Sequence, residues 1–164
     1  MKILQFRVHA GDPLSWAIKQ MTWEDYTHSA VLVDEVTKEI VEAYFPHVRR
    51  RALLPSEYAG IDVYAIQDLT STQEQGILTW LDAARTDKAE YNVGNLLRFV
   101  PLVRDALGQP VIPTQPNGSE SCSQLVFSAC EYGGGIKLLN TESYKVDPGH
   151  LTWSTRLVKV APLQ

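Results

Sequence analysis

Apolar positions along the chain change period several times, and the changes divide it into strands and helices. From Lys2 to Val8 the apolar Ile3, Phe6 and Val8 alternate with polar neighbours closely enough for a first strand, which Gly11-Asp12-Pro13 ends. Leu14, Ala17, Ile18 and Met21 then recur at the spacing of one helical face. The β-branched runs Ser29 to Val33 and Glu39 to Tyr44 flank the charged stretch 34–38, a pattern that predicts an antiparallel hairpin. Gly60 to Gln67 alternates again, with Ile61, Val63, Tyr64 and Ile66 as the apolar set. A helix follows from about Ser71, presenting Ile77, Leu78, Leu81 and Ala84 and ending before Asp87. Tyr91-Asn92-Val93-Gly94-Asn95 opens a further helix to about Leu107, which Pro101 kinks or splits, and Gln109 to Gly118 is a proline-rich loop. Asn117 to Gly135 reads as the next helix, with Ser119 or Ser121 available as N-cap and Gly133 to Gly135 suited to a left-handed C-cap. Arg156 to Val160 closes the chain as a last strand. Helices mixed with mostly antiparallel strands, without repeats or a linker, predict an α+β fold in one domain over residues 1–164.

Composition changes this picture little. The chain is 45% apolar and 21% charged, near the globular average, and its net charge of -4 gives no general attraction to nucleic acid. No nucleic-acid partner is expected. No apolar run approaches the roughly 20 residues of a membrane span, and Met1 to Val8 does not resemble a secretory signal. The expectation is a soluble protein, cytoplasmic or associated with a phage or secretion apparatus. Cys122 and Cys130 lie roughly 12 Å apart if both sit on one helix, too far to bridge, so both thiols are expected free.

Cys122 sits in the first turn of its helix, where backbone N–H groups and the helix dipole favour an anion and lower a thiol's pKa. A hairpin reversing near Glu35 and Val36 sets His28 within about two residues of facing Glu42. A thiol at a helix start, an imidazole at a strand start and a carboxylate on the next strand are the parts of an acyl-transfer site. His9, His47 and His150 lack such a facing acid. Pro46 to Arg51, with its three arginines, reads as a solvated loop. His28, Glu42, His47 and Cys122 do not form a compact ligand spacing, so neither a metal nor another cofactor is expected. Cys130 reads as a packed core residue.

Several segments together resemble a known family: residues 15–23, Tyr26-Thr27-His28-Ser29-Ala30-Val31-Leu32-Val33, Val41-Glu42-Ala43, Tyr91-Asn92, Ser121-Cys122-Ser123-Gln124-Leu125-Val126, and Asp147-Pro148-Gly149-His150-Leu151 with Ser154. In that order and spacing the chain resembles the circularly permuted NlpC/P60 proteins, the YiiX-like group of papain-like cysteine peptidases, over nearly its whole length. The resemblance implies a permuted papain-like fold, a small antiparallel sheet or partial barrel packed against helices. It also implies Cys122 as nucleophile, His28 as general base and acid, and Glu42 as the orienting third member. Tyr91 would line the pocket, with Ser121 and Ser29 flanking the catalytic pair on the substrate side. Asn92 stands where the family commonly has Asp, which removes an acidic role there. The implied activity is hydrolysis of an amide bond in a peptide, cell-wall peptides included. Two alternatives stand beside it. One is lipid acyl hydrolysis or transfer at the same site, with Trp16, Trp23, Tyr26, Phe99 and Pro101 forming an apolar groove; the other is a binding module without turnover.

Overall fold

The computed structural model describes residues 1–7, 25–44, 46–86, 90–91 and 119–163. The expected helix at residues 14–21, the helix after Asn92 and the proline-rich loop lie outside these residues. The strands are β1 (Lys2–Arg7), β2 (Tyr26–Asp34), β3 (Glu39–Tyr44), β4 (His47–Ala52), β5 (Ile61–Ile66), β6 (Glu90–Tyr91), β7 (Ser119–Glu120) and β8 (Leu157–Lys159). They form one sheet in the order β7-β6-β4-β3-β2-β1-β5-β8, antiparallel except for the two-residue β6–β7 pair. The helices are α1 (Ser71–Thr86), α2 (Cys122–Ser128) and α3 (Pro148–Leu151), and α2 runs on into a wider π turn over Ala129–Gly133. This is an α+β architecture.

Strand alternation explains why the sheet carries two apolar faces. Ile3, Val31, Val41, Ala43 and Val48 pack with Ile77 and Leu81 of α1 and with Leu125, Val126 and Phe127 of α2. Their neighbours in sequence, Leu4, Ala30, Leu32 and Ile40, turn the other way and join Leu53, Ile61 and Val63 in a second cluster. Every residue of α2 is buried, so its polar members need partners inside: Ser123 Oγ donates to the Val146 carbonyl at 2.6 Å.

Helix α1 crosses the π turn at a backbone-to-backbone contact. A Cβ added at Gly76 would lie 2.2 Å from the Gly133 carbonyl oxygen, so only glycine fits there. The segment closes on Gly135, in the left-handed region at φ 65, with the Ile136 N–H bonded to the Cys130 carbonyl at 2.8 Å.

Three sequence expectations change. Residues 46–51 are not a solvated loop: His47–Ala52 is a strand, fully paired with β3, because its arginines meet carboxylates on both faces of the sheet. Tyr91 does not open a helix; its backbone pairs in β6 with Glu120. Ser121 occupies the N-cap of α2 with extended backbone, but its side chain makes no capping bond, and Ser119 lies in β7.

Candidate active site

The hairpin positions two of the three residues. β2 and β3 pair Val31 with Val41 and Leu32 with Ile40. Continued by one step, that register sets Ala30 against Glu42 and makes His28 the diagonal neighbour of Glu42 on the same face. Nε2 of His28 lies 2.8 Å from Oε2 of Glu42. Phe6, opposite His28 on β1, packs against the imidazole at 5.1 Å between ring centroids, and Tyr44 meets it edge-on at 6.4 Å. The ring is thus held on two sides as well as at Nε2.

Glu42 is 1% exposed, and a carboxylate so buried keeps its charge only if it is paired. Its other oxygen, Oε1, accepts from Nε of Arg49 at 2.8 Å and from Nε of Arg51 at 2.7 Å. Burial pushes against ionisation, but His28 and Arg51 outweigh it and hold the carboxyl at about 2. Arg51 is itself gripped by Glu57 through two bonds of 2.8 Å, and the Arg49 guanidinium lies 3.7 Å over the Tyr44 ring. Arg50, between them, points to the opposite face and pairs with Glu39.

Cys122 reaches this face from the helix layer. Toward the His28 end the β2–β3 ladder stops at Val31 and Val41, and α2 packs against both strands. The His28 ring and the backbone N–H groups of Ser29 and Ser123 stand near enough to the Cys122 sulfur to favour its thiolate. Because Nε2 of the ring is committed to Glu42, Nδ1 is left for the thiol. Burial disfavours charge on both groups. Their mutual attraction and hydrogen bond prevail, with Glu42 adding to the effect on the imidazole: His28 is raised to about 9 and Cys122 lowered from its ordinary value. The direction is toward a thiolate–imidazolium pair at neutral pH. Its main source is the imidazole, not the helix dipole that the sequence alone suggested.

The remaining expected residues fall out differently. Ser29 is fully buried and its hydroxyl donates to Gln5 Oε1 at 2.8 Å, so its contribution at the sulfur is its backbone N–H. Ser121 is buried directly before the cysteine. The side chain of Tyr91 lies outside the described residues. Cys130 is buried with its thiol pushed up to about 12 by burial alone. Sequence reasoning missed Arg49, Arg51 and Glu57 around Glu42. The one local signal was the position of this run, directly after a β-branched strand and a tight turn, where a returning strand would set Arg49 opposite Glu42.

No family model matches the chain, and no curated protein does. Among solved structures it is similar to the metalloprotein YiiX from Escherichia coli O157:H7, of the group DUF1105, with a TM-score of 0.63 and 15% sequence identity over 98% of this chain and 95% of that one. Among the described residues no three His, Cys, Asp or Glu side chains are grouped so as to hold a metal ion. Nor is any described helix long and apolar enough to cross a membrane. At that identity the likeness speaks to fold alone, and the fold of this chain is YiiX-like.

Proposed function

We propose that the protein is a thiol hydrolase that cleaves an amide bond through an acyl-enzyme on Cys122, on a single domain of permuted papain-like type. The observation that carries the reading is the 2.8 Å bond between buried Glu42 and His28, with Cys122 placed so that the imidazole and the thiol bias each other toward an ion pair. The thiolate of Cys122 attacks the carbonyl carbon, and the resulting oxyanion is met by backbone N–H groups at the start of α2, Cys122's own among them. The imidazolium of His28 gives its proton to the leaving amine as the C–N bond breaks, leaving a thioester. Water then attacks that thioester while His28 takes a proton from it, and the acid is released with the thiol restored. Glu42 fixes the tautomer and orientation of His28 throughout.

The substrate class in this reading is a peptide. Incubation with a cell-wall tetrapeptide and, separately, a labelled phospholipid, followed by mass spectrometry of the Cys122 peptide, tests this. An acyl adduct from the peptide, lost in Cys122→Ala, supports the reading. An adduct from the phospholipid alone moves the substrate to lipids. If Cys122 alkylates with iodoacetamide only near the roughly 8.5 of a free thiol, the nucleophile assignment fails.

A further inference from the structure

The carboxylate that orients His28 is held by more than the site needs for charge alone. A carboxylate has two oxygens and about four acceptor positions. On Glu42 they are divided by partner: both guanidinium contacts fall on Oε1, and the imidazole has Oε2. Each arginine is placed by something other than Glu42. Arg51 makes its paired bonds to Glu57, whose Oε2 also accepts the Leu54 backbone N–H at 2.7 Å and so ties the arginine to the backbone leading into the 3-10 turn Pro55–Gly60. Arg49 rests on Tyr44, the same ring that meets His28 edge-on. Among the described residues the charged or titratable groups in contact with Glu42 are His28 from β2 and Arg49 and Arg51 from β4; Glu57 stands behind Arg51, and Cys122 of α2 behind His28.

We propose that Arg49 and Arg51, the latter seated by Glu57, form a preset clamp that fixes Glu42 by Oε1 and so reserves Oε2 for His28, making both arginines positioning residues of the thiol site. This rests on the hydrolase reading above and adds to it the means by which the third residue is held. Two guanidiniums and two carboxylates balance in charge, so the clamp orients Glu42 while bringing no net charge to the thiolate–imidazolium pair. Without Arg51, the buried Glu42 loses a main support of its charge and takes up a proton at higher pH. A neutral carboxyl is a weaker acceptor for the Nε2–H of His28, the imidazolium loses its partner, and the thiolate loses the imidazolium.

The test is the pH profile, from pH 4 to 9, of iodoacetamide addition to Cys122, read on its peptide by mass. The proteins compared are the unaltered chain, Arg51→Met, Arg51→Lys, Arg49→Met, Glu57→Gln, Glu42→Gln and the double variant Glu42→Gln/Arg51→Met. The expected result is that Arg51→Met moves the acid limb up by about one pH unit, a roughly tenfold loss of rate below the limb, that Arg51→Lys recovers part of it, and that Arg51→Met adds no further shift once Glu42 is Gln. An acid limb unchanged in Arg51→Met, or a shift that persists in the Glu42→Gln background, overturns the clamp. Should Arg51→Met not fold, the same comparison runs on the half-exposed Arg49→Met and on Glu57→Gln, with a smaller upward shift expected and an unchanged limb counting against the clamp. Ordinary thiol behaviour in the unaltered chain would instead sink the hydrolase reading, whereas an activated Cys122 indifferent to every arginine change removes only the clamp.

Discussion

Replacing Glu42 by Gln keeps the size of the side chain and removes its charge. The carboxyl is carried from its ordinary 4.5 to about 2 in the folded protein. At about 1.4 kcal/mol per pH unit, that shift corresponds to roughly 3 kcal/mol of folding stability tied to ionised Glu42. The group's folded pKa is depressed, so this stability is present in full above its unfolded value and is lost as pH falls from about 4.5 toward 2. Urea unfolding at pH 7, 5, 4 and 3 should therefore show the unaltered protein more stable than Glu42→Gln by about 3 kcal/mol at pH 7, with the gap narrowing to less than half of that at pH 3. Other carboxylates held low outside this cluster, Asp34, Glu35 and Asp62, destabilise both proteins together in acid, and the difference between the two removes them. A gap below about 1 kcal/mol at pH 7, or one that stays constant down to pH 3, would refute the argument that the buried charge and its partners carry this energy.

Further outcomes follow from other parts of the fold. In Cys122→Ser the thiolate that most raises His28 is gone while burial still lowers it, so the imidazole should titrate by NMR below about 9. Gly76→Ala would ordinarily favour a helix by about 1 kcal/mol, yet its methyl meets the Gly133 carbonyl at 2.2 Å; thermal unfolding should show a net loss of about 1–3 kcal/mol, a fall of several degrees. Cys130, buried and with its thiol pushed up to about 12, should resist alkylation at pH 8 in the folded protein and react only after unfolding.

Much of the strand pattern was legible because alternation and turn residues act locally. The hairpin of β2 and β3, strand β5 and helix α1 stand close to the boundaries the pattern gives, and Asp34 supports the hairpin turn by accepting the N–H groups of Val36 and Thr37. The pairing of His28 with Glu42 follows from that local register. What the pattern concealed was non-local. Three consecutive arginines look like a solvated run until the strand period divides them between two faces, and the carboxylates that receive them lie on β3 and in the turn after β4. The pairing of β6 with β7 joins residues nearly thirty positions apart, and no propensity of Tyr91 announces it. The surroundings of the Cys122 sulfur belong to the same class: its Ser29 and His28 contacts come from a strand far earlier in the chain.

That distance has a consequence in time. The hairpin half of the site joins residues fourteen apart, His28 and Glu42, and can close as soon as its turn forms. The thiol becomes unusual only when α2 has docked where the β2–β3 ladder ends, a contact spanning more than ninety residues. Until then Cys122 is an ordinary thiol, largely protonated below pH 8. During refolding at pH 6, its labelling rate should therefore rise late, with the docking of α2, and not with the earlier appearance of strand signal. On the proposed reading, the chain withholds its nucleophile until its tertiary structure is complete.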